Sequence, residues 1–138
     1  MHSNSNKTFD KSSDNYQPLI LIVDNDNDNL LFASYIIESM GLNYVVTDDS
    51  EQCLNLVAEL LPDIILLDIV MPKLSGLEIV NLIKQDESLA HISLIAVTGL
   101  TKAEDGEELI SAGFDDYLCK PYLIEELEGK IYRLLNSP

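Results

Sequence analysis

From Leu19 onward the chain alternates five times between short apolar runs and longer segments of helical period. The runs are Leu19–Val23, Tyr44–Thr47, Ile64–Leu67, Ile92–Val97 and Asp116–Cys119. Short continuous runs of Ile, Val and Leu are the mark of strands buried on both faces. The intervening segments predict helices over Asn27–Met40, Ser50–Leu60, Ser75 or Gly76 to about Gln85, Thr101–Ala112 and Tyr122–Leu135. Gly41, Pro62 and Gly113 supply the stops, and Ser50 is the expected cap of the second helix. The expected core faces are Leu30, Leu31, Ala33, Tyr35, Ile36 and Ile37 on the first helix and Cys53, Leu54, Val57, Leu60 and Leu61 on the second. On the third they are Leu77, Val80, Leu82 and Ile83. Strands alternating with helices at this spacing imply βαβ units, a parallel sheet and right-handed crossovers. The prediction is a single doubly wound α/β domain over residues 18–138, preceded by a disordered tail over residues 1–17, which are polar and have no periodicity.

Composition narrows the function. The 138 residues suffice for one domain with a real core, and no apolar run is long enough for a membrane span. The polar start lacks the apolar stretch of a signal peptide, so the expected location is cytoplasmic. Cys53 and Cys119 form neither a disulfide framework nor a metal cluster and are expected to pack in the core. The net charge is −16, and Lys7 and Lys11 balance Asp10 and Asp14 in the tail, so the folded part carries all of it. A surface this acidic is a poor partner for nucleic acid or an anionic membrane. Another protein, a cation or a phosphoryl donor fits better.

The candidate chemistry lies at strand ends. Ile20–Val23 runs into Asp24-Asn25-Asp26, Ile64–Leu67 runs into Asp68, and Tyr117-Leu118-Cys119 runs into Lys120-Pro121. Open α/β sheets bind ligands at the carboxyl ends of their strands. Neighbouring carboxylates repel, and a divalent cation that prefers hard oxygen ligands, Mg²⁺ above all, relieves the repulsion. Two acids and a lysine at three strand ends therefore point to a site for a cation and a phosphoryl group. The run Asp24-Asn25-Asp26-Asn27-Asp28 imitates the start of a calcium loop, but Asn29 stands where Gly is needed and Tyr35 where Glu is needed. Asp28 and Asn29 are better placed to open the first helix. His2 and His91 have no Cys or Asp partner at catalytic spacing, and the chain has no Walker or dinucleotide Gly motif.

Three motifs resemble those of the response-regulator receiver family: Leu21-Ile22-Val23-Asp24-Asn25, Leu66-Leu67-Asp68-Ile69-Val70-Met71-Pro72 with Gly76, and Ala96-Val97-Thr98-Gly99 followed by Tyr117-Leu118-Cys119-Lys120-Pro121. The similarity spans about residues 18–135. It implies a flavodoxin-like five-stranded sheet in the order 2-1-3-4-5. It also implies a stand-alone response regulator of a two-component phosphorelay. Asp68 would accept a phosphoryl group from a sensor histidine kinase or a phosphotransfer protein, with Mg²⁺ (or Mn²⁺) as cofactor. The metal set would be Asp24, Asn25, Asp68 and the backbone carbonyl of Val70. Lys120 and Thr98 would pair with the phosphoryl oxygens, and Gly99 would leave the site open. Lys120-Pro121 would be a cis peptide. Thr98 and Tyr117 would switch the face formed by helix four, strand five and helix five. Such a protein is a signalling domain rather than an enzyme, although it assists its own phosphorylation and slow dephosphorylation. It would signal by contact with a downstream protein. The last helix, with Leu123, Ile124, Leu127, Ile131, Leu134 and Leu135 in a broad apolar stripe, leaves a homodimer or partner face open.

The chain departs from the family at one position. Asn25 stands where the second strand-one acid is usual, which implies weaker Mg²⁺ binding and keeps a phosphorylation-independent pseudo-receiver as the alternative. A metal-dependent phosphatase would need an acid two residues after the nucleophile, and that residue is Val70.

Overall fold

The computed structural model describes residues 16–99 and 103–136. The elements follow the expected alternation: β1 (Leu19–Val23), α1 (Asn27–Ser39), β2 (Asn43–Thr47), α2 (Ser50–Leu60), β3 (Ile64–Asp68), α3 (Gly76–Gln85), β4 (Ser93–Thr98), α4 (Ala103–Ala112), β5 (Asp116–Cys119) and α5 (Ile124–Leu135). All four strand pairings are parallel and the order is β2-β1-β3-β4-β5. This is the doubly wound order that the family resemblance implies. Residues 101 and 102 of the expected fourth helix, and residues 1–15 of the expected tail, lie outside the described residues.

The period-2 geometry of the strands divides the core in two. Ile20 and Ile22 of β1, Ile64 and Leu66 of β3, and Ile95 and Val97 of β4 pack under α1 and α5. Their neighbours Leu21, Val23, Ile65, Leu67, Leu94 and Ala96 pack under α2, α3 and α4. Each such buried Leu or Ile contributes roughly 1.5–3 kcal/mol by transfer from water. That double burial is why the runs read as continuous rather than alternating.

The helices correct several expectations. On α1 the buried set is Leu30, Ala33, Ser34, Ile36 and Ile37, while Leu31 and Tyr35 are 68% and 65% exposed. Both lie one position beyond a buried residue, about 100° around the helix from it. On α3, Leu77, one position after the buried Gly76, and Leu82, one position before the buried Ile83, face solvent, and the core receives Ile79, Val80 and Ile83. Leu60 and Leu61, at the end of α2, are also exposed; Leu61 adopts the left-handed conformation that ends the helix before Pro62. On α5, Leu127, Ile131 and Leu135 are buried and Leu123 and Ile124 are not. The cap of α2 is Asp49, not Ser50: the Asp49 carboxylate accepts from the Glu51 amide at 2.9 Å. Cys53 is fully buried, which pushes its thiol up to about 12, whereas Cys119 is half-buried. Among the described residues no helix is long and apolar enough to cross a membrane.

The amino-terminal edge of the sheet is fastened by Asp63. Its carboxylate accepts from the Tyr16 hydroxyl and, at 2.9 Å, from the Leu19 amide.

Candidate functional site

Register brings the predicted residues to one edge. Val23 is paired with Leu67, Asp68 with Val97, and Thr98 with Cys119, so Asp24, Asp68, Thr98 and Lys120 all sit at the carboxyl ends of neighbouring strands. Asp24 and Asp68 are buried, at 5% and 6% exposure. Lys120 Nζ lies 3.3 Å from Asp24 Oδ2 and 3.3 Å from Asp68 Oδ2. The other Asp68 oxygen accepts from the Val70 amide at 3.1 Å. Lys120 is itself placed by its backbone, whose amide donates to the Thr98 carbonyl at 2.7 Å, and the Lys120-Pro121 peptide is cis.

Two carboxylates share one ammonium, so the buried cluster carries an excess negative charge. Burial, and then the Asp24 charge, raises the pKa of Asp68, while the Val70 amide and Lys120 oppose the shift. Such a site gains from a hard cation. The structure brings the two carboxylates together, and both are of the oxygen type that Mg²⁺ takes; the Asn25 amide oxygen and the Val70 carbonyl, which the resemblance adds, are oxygen donors as well. Among the described residues no cluster of three or more His, Cys, Asp or Glu groups is placed to hold an ion. The reason is local. Asn25 is neutral and exposed. The nearby Asp26 is committed elsewhere: it is the N-cap of α1, its carboxylate accepting from the Asp28 amide at 2.8 Å. Its own amide donates to Asp24 Oδ1 at 2.9 Å. Asp26 can reach the site only by releasing the helix start.

Thr98 is buried at the end of β4, and a Cβ added to Gly99 would meet nothing within 4 Å, so the mouth of the site is open there. Tyr117 is half-buried against α4. A Cβ at Gly106 would overlap its Cζ and Oη and lie 2.7 Å from its Cε2, so the ring fills the space of the missing side chain. A glycine inside a helix costs up to about 1 kcal/mol relative to Ala, and the seat it makes for Tyr117 accounts for it. Gly106→Ala is therefore expected to leave the fold as stable or more stable while displacing the ring. The aromatic NMR resonances of Tyr117 check this, and unchanged shifts would refute it.

Two neighbours were not legible as site residues. Tyr122, which the sequence places at a helix start, lies beside Asp24; burial and then that charge push its phenol up to about 12. Its ring packs on Phe32 of α1, centroids 5.4 Å apart, and with Asn29, Lys120 and Pro121 these rings line a depression of about 400 Å³. The other is Ser50, whose hydroxyl is not used as a cap. For Gly106, an isolated glycine within a helical pattern was the available signal.

A doubly wound parallel sheet with two buried acids and a lysine at its carboxyl edge is the arrangement of a receiver-type signalling domain. The chain matches the family described as response regulator receiver domain over residues 20–132 and belongs to it. It is 36% identical over 102 residues to the polar-differentiation response regulator DivK of Brucella ovis, a match covering 74% of this chain and 83% of that protein. The receiver domain of a sensor histidine kinase from Pseudomonas aeruginosa PAO1, solved with a magnesium ion coordinated in its active site cleft, superposes with a TM-score of 0.80 at 27% identity, covering 88% of this chain and 100% of that one. A Francisella response regulator receiver domain superposes with a TM-score of 0.81 at 28% identity, covering 86% and 97%.

Proposed function

We propose that the protein is a phosphoryl-accepting switch of a two-component phosphorelay, with Asp68 as acceptor. The observation that carries this reading is the single ammonium of Lys120 set 3.3 Å from each of two buried carboxylates at the strand ends. An Asp68 oxygen attacks the phosphorus of a phosphohistidine on a sensor histidine kinase or a phosphotransfer protein. The O–P bond forms as the N–P bond breaks, and the imidazole keeps the electron pair and takes a proton from solvent. Mg²⁺, when bound by Asp24, Asn25, Asp68 and the Val70 carbonyl, supplies neutralising charge for the phosphoryl oxygens. Lys120 transfers its pairing from Asp68 to those oxygens, and the Thr98 hydroxyl donates to them. Tyr117 then leaves its seat on Gly106 and follows Thr98 inward, and the α4–β5–α5 face changes for a downstream protein. The side chains of α1 left outside the core, Leu31, Phe32 and Tyr35, give the phosphoryl donor an apolar surface beside the site.

Incubation with acetyl phosphate and Mg²⁺ followed by mass spectrometry tests the reading; a gain of one phosphoryl group is expected, and an unchanged mass defeats it. The alternative, a binding module that works without phosphoryl transfer, draws on Asn25 and the missing third acid. The same position makes a graded prediction. Asn25→Asp is expected to tighten Mg²⁺ binding about tenfold, since the added negative charge is worth one or more kcal/mol even at ~4 Å in high dielectric and more at ligand distance. Calorimetric titration of both proteins measures it, and equal affinities count against a metal role for residue 25.

A further inference from the structure

The loop from β3 to α3 carries the Val70 carbonyl, and its geometry is set from two sides. On one side Gly76 closes it, donating its amide to the Ile69 carbonyl at 2.9 Å. On the other, a single hydroxyl grips it. Ser50 Oγ donates to the Pro72 carbonyl at 2.8 Å and accepts from the Leu74 amide at 3.0 Å. Ser50 is 1% exposed and sits in the first turn of α2, from a different part of the chain. Because Asp49 takes the capping role, both hydrogen-bonding functions of the Ser50 hydroxyl are available to the loop.

The two groups that Ser50 holds flank Lys73, which has a φ of 70°. A non-glycine residue is strained in that left-handed conformation. The ion pairs of Lys73 with Asp49 and Glu51, at 3.6 and 3.7 Å, are solvent-exposed and hold it weakly. Met71 packs in the core and Pro72 has its φ fixed by its ring, but neither constrains the peptide planes on either side of Lys73. The Ser50 hydroxyl engages one group on each side of Lys73.

We propose that Ser50 is a positioning residue for the Asp68 site: it holds the loop so that the Val70 carbonyl stays where a cation can use it. This rests on the reading that the site binds Mg²⁺. Ser50→Ala removes both hydrogen bonds and is expected to weaken Mg²⁺ binding about fivefold, the size of one hydrogen bond, since part of the loss falls on stability instead of on the site. Ser50→Thr, which keeps the hydroxyl, is expected to retain most of the affinity. Lys73→Gly in the Ser50→Ala background is expected to restore it, because glycine takes the left-handed conformation without strain.

Calorimetric Mg²⁺ titration of the four full-length proteins, with urea unfolding alongside, tests the proposal. It is overturned if Ser50→Ala binds Mg²⁺ as tightly as the parent while only its stability falls. It is also overturned if Ser50→Ala binds weakly and Lys73→Gly restores nothing, which covers the case of a variant that folds poorly. A parent protein that binds no Mg²⁺ instead defeats the metal reading itself, and this inference with it.

Discussion

Asp68→Asn is expected to abolish phosphoryl uptake and, at neutral pH, to make the fold more stable. The first effect follows from chemistry: an amide oxygen is a poor nucleophile toward phosphorus and cannot form the acyl phosphate. The second follows from the site. Asp68 is buried beside Asp24, and its pKa is raised above the ordinary carboxylate value. A carboxyl group that titrates higher in the folded state than in the unfolded one destabilises the fold when ionised. That unfavourable contribution is fully present above the raised pKa, shrinks as pH falls through it, and vanishes below the unfolded value. The amide removes it and leaves Lys120 paired with Asp24. The gain should be largest near neutral pH and absent in acid. Mass spectrometry after acetyl phosphate treatment reads the first effect, and urea unfolding across pH reads the second. Parallel pH–stability curves for the two proteins would remove the electrostatic account.

Gly76→Ala should be the most damaging small substitution in the fold. A Cβ there would lie 2.8 Å from Ile69 Cα and 3.0 Å from the Asp68 carbonyl oxygen. Those are backbone atoms of the strand end that carries the acceptor, so they cannot turn aside as a side chain does. Overpacking of this kind costs about 1–3 kcal/mol, more than the helix propensity an alanine adds. Phosphoryl uptake should fall with stability, because the displaced atoms belong to Asp68 and its neighbour. Gly129 in α5 is the internal contrast: a Cβ there meets nothing within 4 Å, and Gly129→Ala should stabilise by up to about 1 kcal/mol. Urea midpoints of the two variants should move in opposite directions, and a Gly76→Ala protein as stable as the parent contradicts the packing argument.

The strands and the strand-end residues were legible for one reason. Strands buried on both faces must be apolar throughout, so Asp24, Asp68 and Lys120 stand out where the runs stop. Helix faces were less legible because α1 and α3 carry apolar residues beyond the buried stripe. Leu31, Tyr35, Leu77 and Leu82 look like core by composition and fall outside it by rotation. Sequence reasoning places the cap of α2 one residue late, at Ser50 instead of Asp49, because both residue types are competent N-caps. The choice of Asp49 is joined to the engagement of Ser50 by Pro72 and Leu74, which lie 22 and 24 residues away. No local pattern contains that contact. The same holds for Gly106, whose reason is a tyrosine on another element.

Asp63 fastens Tyr16 and Leu19 at the amino-terminal edge of the sheet, whereas the acids and Lys120 occupy the carboxyl edge. The strands between these edges span about 17 Å. The chain at Tyr16 therefore enters the fold on the side of the sheet away from the place where the phosphoryl donor must approach.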